Sequence, residues 1–362
     1  MQNQGFLQTK EIFAIVLMLV AIKAADSTPS LFAQKAQNGF WLIPIVSFVV
    51  IFPSFLLMIY LLKRFRDKNL MELIESILGK TIGKLISIII FLFAFSTLTL
   101  DSRNYVEQIK VLYFPESPTI FIFFIFIGVS FFGAKKGIEV IGYTSWIALP
   151  IIKISFFTLI WLVLGSMVYE RIFPIFGSGL PVILSEGVKK AAIFAELFFL
   201  LIAYKAAKEE AMFRKGAVVA SIIAFLEIIA FYFIYITVFD YNSVEKIAFP
   251  FHDIAQYVQF GQFFTNIETL FMVFWLFAAY LKFIVFLYLI AWMFGTIFHI
   301  KNFEPLLLPL AYLVIIAGLL PFNSIYNEFV LRENLLMIMS PFFILLPFML
   351  WFIALWKGEL KR

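Results

Sequence analysis

The chain has 362 residues, of which 63% are hydrophobic and only 14% charged, with a mean hydropathy of +1.00. That composition excludes a soluble globular class. Cysteine is absent, which removes thiol catalysis, iron–sulfur clusters and disulfides, and the formal net charge of +5 reflects loop bias rather than a nucleic-acid face.

A hydrocarbon core about 30 Å thick needs about 20 apolar residues per helix. Such runs fall near 11–34, 40–62, 83–103, 118–134, 143–167, 188–206, 216–239, 264–295, 302–320 and 336–356. They predict an all-α integral membrane protein of about ten spans, a single transmembrane domain over 1–362. The N-terminus reads as a retained first span, because Glu11 follows Lys10 at once and no clean cleavage motif follows Ile22. That span breaks on charge. After Ile12–Ile22 come Lys23, Ala24, Ala25, Asp26, Ser27, Thr28 and the helix breaker Pro29.

Between spans two and three, 63–84 carries six basic residues around Glu72-Leu73-Ile74-Glu75, which predicts a short amphipathic helix on the inner surface. The 240–263 stretch, with Pro250, His252 and Asp253, predicts a similar outer helix. With the N-terminus inside, seventeen Lys and Arg fall on the cytoplasmic side and eight on the outer side, which places both termini in the cytoplasm.

Charge inside a span costs a few kcal/mol or more and is rarely present without a task. Three basic residues, Lys23, Lys153 and Lys282, and three acids, Asp26, Glu196 and Glu227, lie deep, and their equal numbers suggest pairing in the bundle interior. Lys23 and Asp26, at i and i+3, either form a local salt bridge or meet a ligand or ion beside Ser27 and Thr28. Glu196 in the sixth span is the counterpart of Asp26 if the chain is two five-span halves, and its pairing with Lys282 or Lys153 is an alternative. Lys282 either pairs with an acid, occupies a coupling-cation position, or snorkels. The candidate ligand-binding set is therefore Lys23, Ala24, Ala25, Asp26, Ser27, Thr28, Glu196 and Lys282. Lys153 and Glu227 read as structural or pathway charges, and Arg103, Glu268 and Asp101 as charges at outer helix ends. No cofactor and no metal site are readable, and Na+ and H+ both stay open as coupling ions.

Ten spans with a broken first helix and a Glu-bearing sixth resemble the amino acid–polyamine–organocation superfamily with its LeuT-like 5+5 inverted repeat, the halves here being roughly 11–167 and 188–356. Several stretches resemble the spore germination permeases, the B subunits of bacterial germinant receptors. They are Ser102-Arg103-Asn104-Tyr105-Val106 with Phe114-Pro115-Glu116-Ser117-Pro118, and Lys136-Gly137-Ile138-Glu139-Val140-Ile141-Gly142. Phe249-Pro250 with Tyr257-Val258 and Phe263-Phe264, and Ile267-Glu268-Thr269-Leu270-Phe271 followed by Trp275, Tyr280-Leu281-Lys282 and Leu287-Tyr288, complete the set. The resemblance implies a nutrient sensor in the spore inner membrane, working with an A subunit and a C lipoprotein, with a pocket between spans one, three, six and eight. The chain departs from the family where glycine is usual: Ala24-Ala25 stand at the first break and Ala195 precedes the sixth-span Glu. Competing readings are an amino acid or polyamine symporter and a passive water or ion conduit. No nucleophile–base grouping supports an enzyme.

Overall fold

The computed structural model describes residues 6–65, 67–257 and 267–361. The apolar runs become helices because hydrocarbon offers no partner for a backbone amide, so each span must satisfy its own. Six helical segments are long and apolar enough to cross a membrane, and Thr119–Ala134 and Glu304–Leu319 are shorter apolar helices. With two broken spans, the described residues form ten: α1 (Thr9–Val20) with α2 (Thr28–Ala36); α3 (Ile43–Arg64); α5 (Lys80–Tyr113); α6 (Thr119–Ala134); α7 (Gly137–Val163); α8 (Leu180–Lys189) with the segment through α9 (Glu196–Phe199) to Ala206; α10 (Glu210–Phe239); α13 (Ile267–Ile297); α14 (Leu307–Leu319); and α15 (Ser324–Tyr326) running into α16 (Glu333–Trp356). The fold is an all-α membrane bundle.

The first break has a defined shape. α1 ends at Val20, Ala21–Ala25 form a 3-10 turn, and Asp26 is extended (φ −96°, ψ −173°). Pro29 then sits in the first turn of α2, where its missing N–H costs nothing, so it starts the second half rather than ending the first. The sixth span is broken too, although neither Gly nor Pro adjoins Glu196 in sequence. It begins at Leu180 rather than 188, loses helical geometry at Lys190 (φ −114°, ψ 18°), and continues as 3-10 turns over Ala191–Phe194 and Leu200–Ala206 around the single α turn α9. Ser340 Oγ accepts the freed Ala192 N–H at 2.9 Å.

Two spans outrun their apolar windows. The third continues to Tyr113 and the tenth starts at Ser324, passing through a π-helical stretch, Asn327–Arg332. Both extensions carry polar side chains that are buried and partnered, so mean hydropathy cannot see them. The connection after α3 holds α4 (Leu70–Leu78), capped reciprocally by Asn69 and Glu72. The connection after α10 holds α11 (Tyr241–Val244) and α12 (Pro250–Tyr257); the rest of the 240–263 expectation, with Val258 and Phe263-Phe264, lies outside the described residues.

α1 and the stretch Ala191–Ala203 are buried throughout or nearly so, which puts the broken spans at the centre. On α7, Ile147, Ile154 and Trp161 form an exposed stripe at heptad spacing, a lipid-facing side. Near the broken first span, contact is backbone-close. A Cβ on Gly216 of α10 would stand 2.7 Å from the Thr9 carbonyl oxygen and 3.1 Å from Ile12 Cβ. Main-chain atoms cannot step aside as a side chain can. Gly216→Val is expected to push α10 off α1 and destabilise the protein by about 1–3 kcal/mol, read as a lower unfolding midpoint in mild detergent; an unchanged midpoint would show that the two helices are not in this register.

Candidate functional site, a buried charge lattice

The break after α1 turns two side chains in opposite directions. Lys23 Nζ lies 2.6 Å from Glu196 Oε2 and also donates to the Ile193 carbonyl, so one ammonium joins the two broken spans. Asp26 faces the other way. Its Oδ1 accepts the Thr28 N–H at 2.8 Å, at the positive end of α2, and its Oδ2 lies 2.7 Å from Arg332 Nη2. Of the two readings that their spacing left open, the local Lys23–Asp26 bridge is therefore not formed. The extended backbone at Asp26 separates them.

Arg332 gathers the rest. Its Nη1 is 2.6 Å from Glu328 Oε1 and its Nε is 3.5 Å from Asp101 Oδ1. Asp101 Oδ2 in turn lies 2.6 Å from Lys282 Nζ. Glu328 accepts from the Asn104 amide, and Asn327 donates to Asn104 Oδ1 at 2.6 Å and to the Leu100 carbonyl at 2.9 Å. Spans one, three, six, eight and ten thus meet in one lattice of three cations (Lys23, Lys282, Arg332) and four carboxylates (Asp26, Asp101, Glu196, Glu328), none more than 5% exposed. The surplus carboxylate is offset by amide donors and the α2 terminus. Glu196 Oε1 has no hydrogen-bond partner among the described residues. The space left between Lys23, Asp101 and Arg332 is about 10 Å³, room for a water at most.

The other candidates named from the sequence take separate places in the structure. Ala24 presents its carbonyl to the Tyr235 hydroxyl at 2.5 Å, and Ala25 is buried beside it. Ser27 offers its carbonyl to the Ser30 and Leu31 N–H groups, and Thr28 is buried. Lys282 is fully buried rather than snorkelling, and its partner is Asp101, not Glu196. Lys153 and Glu227 pair at 2.5 Å away from the lattice. Arg103 is buried rather than solvated and lies 3.5 Å from Glu107 one turn on, while Glu268 is partly exposed in the first turn of α13. Asp101, a helix-end charge by sequence, is central, and Arg332 and Glu328 are missed altogether. The available signal was a polar stripe on one face of α5, Asp101, Asn104 and Gln108 at i, i+3 and i+7, and the Glu328–Arg332 pair at i, i+4.

α12 lies over this centre. The Gln108 amide nitrogen can only donate, so His252 Nδ1 accepts it at 2.7 Å and the ring proton sits on Nε2. The His252 ring stands edge-on to Trp275 at 4.8 Å, Trp275 stacks on Tyr105 at 5.3 Å, and Lys282 Nζ lies 5.2 Å from the Tyr105 ring. Burial pushes the His252 imidazole down to about 3.

Lys23→Met or Glu196→Met alone leaves one buried charge unpaired and is expected to cost about 3–5 kcal/mol, whereas the double variant Lys23→Met/Glu196→Met recovers most of it; unfolding in mild detergent reads the cycle, and strictly additive effects would deny the contact. For His252 the unfolded ring protonates near 6.5, so the docked helix keeps its full stability above that pH and loses it as pH falls toward about 3. Hydrogen exchange over 250–257 should be faster at pH 5 than at pH 7.5, and His252→Gln should flatten the difference; equal protection at both pH values in the unaltered protein would count against this.

The profile described as spore germination protein, for the spore permease family, matches residues 7–326. Spore germination protein YndE of Bacillus subtilis (strain 168) is 23% identical over 360 residues, 96% of each chain. Spore germination protein KB of the same organism is 22% identical over 300 residues, 80% of each chain. Among solved structures the chain is similar to MhsT in complex with L-phenylalanine, with a TM-score of 0.74 and 15% identity over 99% of this chain and 90% of that one. It is also similar to a substrate-bound Na+-coupled sialic acid symporter, with a TM-score of 0.66 and 12% identity over 95% of this chain and 78% of that one. These likenesses carry the fold, a LeuT-like bundle with two broken central helices, and the profile match carries the kinship. This chain is a transporter-like membrane protein that belongs to the spore germination permease family.

Proposed function

We propose that the chain is the membrane subunit of a spore nutrient-germinant receptor, seated in the spore inner membrane with both termini in the cytoplasm and acting with an A subunit and a C lipoprotein. The observation that carries this reading is the lattice itself: ion pairs from five spans converge on the two broken helices and leave no room for a nutrient between them. In this arrangement the site is latched. A nutrient bearing a carboxylate competes with Asp26 or Glu196 for Arg332 or Lys23, and so shifts the balance between a latched and an opened bundle. The changed outer contacts pass to the partner subunits. Ion pairs suit a switch because each is strong while made and costly once half-made.

Spores carrying Arg332→Gln, with the subunit present at its normal level, should need a germinant concentration changed by about tenfold or more, which is the effect of about 1.4 kcal/mol on the latch. An unaltered dose response would sink the reading. Glu196 Oε1, which has no hydrogen-bond partner among the described residues and could meet a cation, favours a second reading as a secondary active amino acid or polyamine symporter. Uptake of a labelled nutrient into vesicles driven by a Na+ or H+ gradient separates the two: gradient-driven accumulation supports transport, and its absence beside intact nutrient-triggered germination supports the receptor.

A further inference from the structure

On the opposite side of the first break from Lys23 lies a cavity of about 60 Å³, bounded by Ala21 and Ala25 of the break, Phe156 of α7, Phe251 of α12, and Trp275 and Ala278 of α13. Its walls are apolar except at Ser155 and at one charged pair. Lys153 and Glu227 also line it, joined by a single contact of 2.5 Å between Nζ and Oε2. Each half of that pair is under-used. Among the described residues the ammonium has no other hydrogen-bond acceptor and otherwise lies 5.1 Å from the Phe156 ring, and Glu227 Oε1 accepts from none. The indole N–H of Trp275, a residue 3% exposed, is buried without an acceptor among those residues.

A largely desolvated pair that merely neutralises itself is expected to gather further hydrogen bonds, since desolvating two charges is repaid only when their remaining donors and acceptors are also met. Here an ammonium with a single acceptor, a carboxylate oxygen and an indole N–H share a cavity whose remaining wall is apolar but for Ser155. A purely apolar occupant would leave all three unmet, and an occupant with one charge would meet one side and repel the other. We propose that this cavity is a second ligand site, which binds a small aliphatic zwitterion of the α-amino acid type. Its carboxylate takes Lys153 and the Trp275 N–H, its ammonium takes Glu227, and its side chain lies against Ala21, Ala25 and Ala278. The site is separate from the charge lattice, but both are walled by the same five-residue turn, Ala21–Ala25, so occupancy of one bears on the geometry of the other.

The site is tested on the purified full-length chain in mild detergent, with L-alanine, L-valine and L-leucine as probes and isobutylamine and isobutyrate as single-charge controls. At least one zwitterion should raise the unfolding midpoint saturably, at concentrations at least about tenfold below any effect of the controls, because a site built for two charges rejects a ligand lacking either. Ala278→Leu fills the cavity without touching a charge; it should fold with an unchanged or higher midpoint and abolish the ligand-induced shift. Glu227→Gln should weaken it by about tenfold or more. A shift that survives in Ala278→Leu, or no saturable shift with any of the three zwitterions up to tens of millimolar, would overturn the proposal. Because the readout is binding to the isolated subunit, its failure leaves the receptor reading, which rests on germination of spores, untouched.

Discussion

The constraint on which this molecule is organised is that charge buried in hydrocarbon must be met by charge. Seven ionisable side chains sit at the centre of the bundle, on five different spans, and none can be removed from its partners without stranding another. The Lys23–Glu196 contact has the largest structural consequence, because it joins two helices that are each interrupted and would otherwise offer loose backbone ends to one another. The 3-10 turns on both sides of that contact exist where the chain has given up regular α geometry, and the Lys23 ammonium meets the Ile193 carbonyl as well as the carboxylate. Ion pairing and backbone interruption are thus one device: the break exposes a carbonyl, and the cation that fills the gap satisfies it.

The fold was legible because hydropathy reports directly on which segments must satisfy their own backbone. The ends of the spans were not, and for a physical reason. α5 continues past Asp101 as a helix whose polar side chains are buried against other helices, and a polar run at the end of an apolar one reads as a loop when the partners are unknown. The same effect hid Arg332 and Glu328, which stand ahead of the tenth apolar window on the π-helical stretch. That Lys282 is buried could be read from its apolar neighbours, whereas its pairing with Asp101 could not, because the two are distant in sequence and no spacing rule joins them. Likewise the proximity of Lys23 and Asp26 along the chain suggested a local pair, and one extended residue was enough to send them to different partners.

The lattice also connects outward. From Lys282 the contacts run through the faces of Tyr105 and Trp275 to His252 on α12, an unbroken sequence of ring and cation contacts from the centre to a connecting segment. Packed aromatic rings transmit displacement because they cannot be compressed. A rearrangement around Asp101 therefore has a physical route to a surface-connected helix that needs no movement of the outer, lipid-facing sides of α6 and α7.

The main-chain bonds between the two broken spans limit where such a bundle can part. Ahead of α1, the Leu7 N–H donates to the Ala206 carbonyl at 2.7 Å, and the Lys208 N–H donates to the Leu7 carbonyl at 3.0 Å. This two-bond seam stitches the start of the first broken span to the end of the sixth. Main-chain seams hold position irrespective of what the side chains do, whereas the Lys23–Glu196 contact can be exchanged for another ion. At the opposite ends of the same two spans the Ser178 N–H donates to the Ala36 carbonyl at 3.3 Å, so the two central helices are tied by backbone at both ends and by the exchangeable ion pair between them. Side chains alone hold the interrupted middles together, so that is where an exchanged ion has the most leverage on the spacing of the two helices.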